Sequence, residues 1–252
     1  MTVTPLYLLH TQPDPQLLAT WMVRYRTHDV GEALHGLLRA AFGAHAPQPF
    51  RYLDARRGLL AYTALDAQAM AAQVALADPL AAQTLGLGAC SAHEGYGLRP
   101  FPTQWVPGQE LGFEVRLRPT VRSGQKEQDA FVHAVALAGG PQGAPVDRQA
   151  VYAQWLRQHL AVREGVSRQP WQGAIELLDV RLSAFARSKV VRRSQPGIDQ
   201  PRKGHAIEGP DATLTGRLRV ADPAAFAHLL VRGVGRHRSY GFGMLLLQRA
   251  TG

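Results

Sequence analysis

Glu32, His35 and Arg39 stand three and four residues apart, so a helix over this stretch puts an acid, an imidazole and a guanidinium on one face. An imidazole transfers protons near neutral pH. A guanidinium stabilises a charged phosphate but is a poor proton acceptor. The opposite face carries Leu34, Leu38 and Phe42, a stripe suited to a core. Arg24 and Arg26 lie just upstream. On residue type alone His35 is either a proton-transfer group or an ordinary surface histidine. Glu32 follows Asp29 by three and reads as part of a capping box rather than as a base.

A second concentration lies near the C-terminus. Gly233, Gly235, Gly241 and Gly243 bracket Arg236, His237 and Arg238 between a helical pattern and a closing strand. Glycines let a backbone approach a phosphate closely, and the interposed cations neutralise it. The plain alternative is a turn that only reverses the chain. A third is Arg187, Lys189, Arg192 and Arg193, continuing across a Pro/Gly loop to Arg202 and Lys203. It reads as a basic hairpin or arm, suited to a polyanion whose phosphates dominate affinity, or as a solvated loop.

The composition agrees. Twenty-eight basic residues face nineteen acidic ones, a formal charge of +9, and only Lys126, Lys189 and Lys203 are lysines. Codon usage explains arginine in place of lysine but not the excess over Asp and Glu. A polyanionic partner explains the excess. The single cysteine, Cys90, makes neither an internal disulfide nor a zinc site, which fits a cytoplasmic protein. No run of about twenty apolar residues is present, and the first residues do not have the pattern of a signal peptide. His93, His133 and His159 have no metal-ligand spacing, and Walker, HExxH and dinucleotide motifs are missing, so neither metal nor cofactor is expected.

The elements that must position these residues follow from periodicity. A strand at Leu6–Leu9 precedes a helix from Pro15, with Leu17, Leu18, Trp21, Met22 and Tyr25 on one face. The pattern breaks at Thr27 to Asp29 and restarts into the His35 helix. Strands are expected at Phe50–Asp54 and Gly58–Thr63, a helix at Asp66–Ala77, and a cleanly alternating strand at Glu110–Arg118. Strand, helix, strand, strand, helix, strand is the ferredoxin-like order. Beyond a linker at Gly139–Pro145 come a helix at Asp147–Arg163, strands at Ala174–Phe185 and Ala212–Val220, a helix at Pro223–Val231 and a strand at Phe242–Gln248. The expected fold is α+β, two tandem ferredoxin-like domains at residues 1–138 and 139–252, the second incomplete or modified.

The stretch from Gly233 to Leu247 resembles the glycine-rich loop of the repeat-associated RNA-binding superfamily, above all the CasE-type CRISPR endoribonucleases: Gly-x-Gly, a short basic segment, then Gly-x-Gly running into an apolar strand. Phe113 to Pro119, Trp155 in its helix, and Gly216 to Val220 followed by Asp222-Pro223 are further points of similarity. The resemblance implies metal-independent cleavage of precursor CRISPR RNA at a repeat hairpin. It further implies a 2′,3′-cyclic phosphate product and retention on the mature RNA among other effector subunits. It makes His35, within Ala33 to Arg39, the counterpart of the family's catalytic histidine. The family's CasE members commonly carry tyrosine where this chain has Glu32. That departure leaves two catalytic patterns open: one led by His35, and one resting on Arg24, Arg39 and Arg238, as in arginine-dependent type IV relatives. It also leaves open a non-catalytic RNA-binding subunit of the same fold.

Overall fold

The structure is a computed structural model that describes residues 5–88, 95–123, 126–162, 165, 167–193 and 204–249. Cys90, His93, Arg202 and Lys203 lie outside the described residues, and Arg192 and Arg193 are described only as strand backbone. The chain forms two compact units. The first comprises residues up to Thr103, the described part of Lys189–Ile207, and Arg238–Gly241; the second comprises the rest. The expected linker at 139–145 lies inside the second unit, where Gly140–Gln142 is a 3-10 turn between two helices.

In the first unit, β1 (Leu6–Thr11) leads to α1 (Pro15–Arg24) and α2 (Val30–Phe42), then β2 (Phe50–Asp54) and β3 (Gly58–Thr63). Next come α3 (Ala67–Ala75), α4 (Pro79–Leu85) and β4 (Gly97–Phe101). The sheet is antiparallel in the order β2-β3-β1-β4, which is the ferredoxin-like arrangement. Leu9 of the central β1 sits opposite Ala61 and Leu98. Leu9, Leu59, Ala61 and Phe50 form one core with Leu18 and Trp21 of α1, Leu34, Leu37, Leu38 and Phe42 of α2, Met70 and Leu85. Each helix start is capped by an aspartate. Asp14 accepts from the N–H groups of Gln16 and Leu17 at 2.8 and 2.9 Å, and Asp29 accepts from that of Glu32 at 2.7 Å. Such caps contribute about 1 kcal/mol each.

The fourth strand of this sheet is β4, not the alternating stretch at 110–118. That stretch is β5 (Glu110–Leu117), and it belongs to the second sheet. Alternation identifies a strand but not its partners. β4 contains Gly97 and Pro100 and has no alternation, as an edge strand tolerates.

The second unit continues with β6 (Thr120–Ser123), β7 (Lys126–Asp129), α5 (Ala130–Leu137) and α6 (Arg148–Leu160). It ends with β8 (Ile175–Arg193), β9 (Gly204–Val220), α7 (Pro223–Arg232) and β10 (Leu245–Arg249). Its sheet order, β10-β5-β9-β8, repeats that of the first unit. Each unit therefore carries the full ferredoxin-like set of four strands, and the modification of the second is an inserted β6–β7 hairpin. Phe113, Val115 and Leu117 of β5 are buried, as are Leu214 and Leu218 of β9 and Phe226, Leu229 and Leu230 of α7. No helix among the described residues is long and apolar enough to cross a membrane.

Candidate nucleic-acid site

α1 ends in a turn that shapes its surroundings. The N–H of Arg26 bonds to the carbonyl of Val23 at 3.2 Å and that of Thr27 to Met22 at 2.9 Å. This is the two-bond helix ending that usually places glycine in the left-handed position. Here the left-handed residue is Arg26, with φ of 51°. The turn leaves Tyr25 44% exposed while Thr27 is buried.

α2 follows, and His35, half-buried, points to the same hollow as Trp21, Tyr25, Thr27, Glu32, Gly36, Ala40 and Tyr240, a cavity of about 450 Å³. Tyr240 belongs to the short 3-10 turn Arg238–Tyr240, which is part of the first unit. A side chain at Gly31 would collide with the Tyr240 carbonyl oxygen, so glycine at the first turn of α2 permits this approach. On the other side Gly241, φ 80°, lies against the Phe50 ring. The His35 and Tyr240 ring centroids are 6.3 Å apart. Gln48 reaches His35 Nδ1 through a long 3.4 Å contact.

Burial, and then the Arg39 charge one helical turn along, lower the His35 pKa below its ordinary 6.5. The ring is therefore neutral at physiological pH and able to accept a proton. Arg24, Arg26 and Arg39 are exposed, and none has a carboxylate partner among the described residues. Several arginines of the second unit are ion-paired, as Arg57 is with Asp54 in the first. Arg116 bonds Asp211, Arg217 bonds Asp179 at 2.7 Å, Arg219 bonds Glu110 at 2.8 Å, and Arg187 bonds Glu208 at 3.1 Å. Lys189 is exposed on β8.

The remaining loop residues divide between the units. Arg238 and Gly241 lie with His35 in the first, and Gly233, Gly235, Arg236, His237 and Gly243 in the second. The four glycines have φ between 75° and 81°. Their N–H groups are engaged inside the protein: Gly233 with Leu229, Gly235 with His159 Nε2, Gly241 with Arg238, and Gly243 with Arg116. The glycines thus set the path of the chain, and their own amides are taken up by the fold. Arg236 and His237 share Glu127, and His237 itself takes a left-handed φ of 59°. Burial opposes ionisation of Glu127, but Arg236 and His237 outweigh it and hold the carboxyl below its ordinary range.

Sequence reasoning passed over Tyr25, Tyr240, Thr27 and Gln48 as site residues. Tyr240 stood within the glycine-rich motif but carried no spacing signal linking it to α2. In the second unit it also passed over a cavity of about 340 Å³ lined by Arg118, Arg122, Trp155, Gln158 and His159 beside Gly235 and Arg236. There His159 stacks between Trp155 and Trp171, with ring centroids 5.1 and 5.2 Å away.

Two ferredoxin-like units in one chain, the last strand preceded by a glycine-bracketed basic loop, define the structural class. From Leu6 to Arg249 the sequence matches the family model described as CRISPR associated protein, and the chain belongs to that family. No curated protein matches it in sequence. Among solved structures it is similar to the CRISPR endoribonuclease Cse3 bound to a 19-nucleotide RNA, with TM-score 0.58 and 19% identity over 97% of this chain and 99% of that one. It is also similar to Thermus thermophilus Cse3 bound to an RNA representing a pre-cleavage complex, with TM-score 0.56 and 19% identity over 96% and 98%. A chain of a CRISPR RNA-guided surveillance complex, pre-nicking, gives 0.54 and 19% over 97% and 100%. At these identities the likeness establishes the fold.

Proposed function

We propose that this protein cleaves precursor CRISPR RNA at a repeat hairpin, without a metal, and stays with the product in an effector complex. The observation that supports this most is His35: a half-buried imidazole, neutral at physiological pH, in a hollow whose helices and connecting turn carry three arginines without carboxylate partners among the described residues. RNA cleavage by internal attack needs those components. The base takes the proton of the ribose 2′-hydroxyl, and the 2′-oxygen forms a bond to phosphorus. The bond to the 5′-oxygen breaks, that oxygen takes a proton from water, and the proton held by the base returns to solvent. The products are a 2′,3′-cyclic phosphate and a 5′-hydroxyl. In this reading His35 is the base, and Arg39, Arg24 and Arg238 stabilise the charge that builds on the phosphate. Arg26, Arg187, Lys189, Arg192, Arg193 and Arg236 hold the hairpin through its backbone. The solved relatives, one described as an endoribonuclease with RNA and another as part of a surveillance complex, support the same substrate and partners.

Glu32, where related endoribonucleases commonly have tyrosine, favours a second reading, in which the chain only holds CRISPR RNA. Single-turnover cleavage at saturating protein separates the two, because it removes binding from the rate. His35→Ala should slow cleavage by about a hundredfold or more, as expected for a lost proton-transfer group. Full rates in His35→Ala, Arg39→Ala, Arg24→Ala and Arg238→Ala would place the chemistry elsewhere. A wild type that binds the hairpin and never cuts it would establish the holding role.

A further inference from the structure

We infer that the hollow beside His35 is a receptor for one nucleobase lifted out of its stack, with guanine the best fit. The choice of ligand rests on the RNA-cleaving reading. Four features of the first unit carry it. First, the hollow has aromatic walls: Tyr25 is 44% exposed yet backed by buried Trp21, their ring centroids 4.2 Å apart, and Tyr240 stands near His35. An exposed ring braced from behind is what a base stacks on in single-stranded RNA recognition.

Second, the backbone holds this ring at a cost. Arg26 takes the left-handed conformation that turns the chain between Tyr25 and Thr27, in a place where glycine is cheaper. Third, the Tyr240 wall is set by backbone packing, its carbonyl resting where a side chain at residue 31 would otherwise be. Fourth, among the polar side chains that line the hollow with His35, which include the hydroxyls of Tyr25, Thr27 and Tyr240, the Glu32 carboxylate is the one that only accepts hydrogen bonds. Guanine offers two adjacent N–H donors on its pairing edge. Adenine and cytosine offer one amino group beside an acceptor, and uracil one N–H between two carbonyls. Arg24 at the end of α1, Arg26 in the turn after it and Arg39 on α2, without carboxylate partners among the described residues, supply positive charge for the flanking phosphates.

The probe is the repeat hairpin RNA carrying 2-aminopurine at one nucleotide at a time, with a single 2′-deoxynucleotide at any mapped cut so that it stays whole. One position should lose fluorescence on saturation with wild-type protein. Tyr25→Phe should keep that quench, and Tyr25→Ala should abolish it and weaken binding by about tenfold. At the same position guanine should bind about tenfold more tightly than adenine, and Glu32→Ala should level the two. Absence of any Tyr25-dependent quench overturns the inference, as does a base ranking that Glu32→Ala leaves unchanged. Cleavage of unmodified RNA is scored separately. A Tyr25-dependent quench with no cleavage keeps the receptor and removes the nuclease reading; cleavage without the quench does the reverse.

Discussion

Arg26 is where stability and RNA binding should move in opposite directions. Its φ of 51° puts a side chain in the left-handed region at the end of α1. That conformation costs an L-residue about 1–2 kcal/mol. Arg26→Gly removes the cost, while glycine loosens the unfolded chain by about 0.4–1 kcal/mol. The balance is a gain of about 0.5–1 kcal/mol. For a chain of this size that raises Tm by about 1–4 °C. The guanidinium, which has no carboxylate partner among the described residues, is lost in the same step. If it touches phosphate, the slope of log affinity against log salt should fall by about 0.7–0.9. Thermal melting and fluorescence anisotropy across a salt series read the two effects on one protein sample. A drop in Tm would refute the backbone argument. A higher Tm with an unchanged salt slope would refute the assignment of Arg26 to RNA.

Three further outcomes are expected. At sub-saturating protein the cleavage rate reports the free protein, so it should rise with pH through the lowered His35 pKa, below 6.5, and be level by pH 7. Arg39→Ala, which removes a like charge, should move that limb up toward 6.5; a limb above 6.5 in the wild type would contradict the assignment of the base. The same shift links to stability: the unfolded chain takes the proton more readily, so the His35 contribution is complete above about pH 6.5 and is lost as pH falls through the folded pKa. Gly31→Ala should destabilise the first unit by about 1–3 kcal/mol and slow cleavage, because its Cβ displaces the Tyr240 backbone; an unchanged melting curve and rate would show that the turn yields freely.

The elements nearest the candidate site were the most readable from sequence. The break at Thr27 to Asp29, the aspartate cap of α2 and the β2 and β3 strands all stand as their periodicity and turn residues indicate. What escaped was long-range. β5 alternates clearly but pairs with β9 and β10, and nothing in Glu110–Leu117 names those partners. α4, seven residues long, is too short to show a period, and α5 is nearly all apolar, so neither stood out. His35 and Arg39 were readable as neighbours because one helix carries both, and of the two His35 lines the hollow. Tyr240 was not, since only the folded turn brings a residue two hundred positions along the chain to the same hollow. The glycine-rich loop was readable as a motif, yet the N–H groups of its four glycines serve the fold, which no spacing rule reveals.

One reaction tests ribose attack most directly: single-turnover incubation of saturating protein with end-labelled repeat RNA in EDTA, beside the same RNA carrying one 2′-deoxynucleotide at the cut. Ribose attack gives full-rate cleavage of the first RNA to a fragment ending in a 2′,3′-cyclic phosphate, and no cleavage of the second despite unchanged binding. Activity lost in EDTA and restored by magnesium, or a cut that survives the missing hydroxyl, would contradict it.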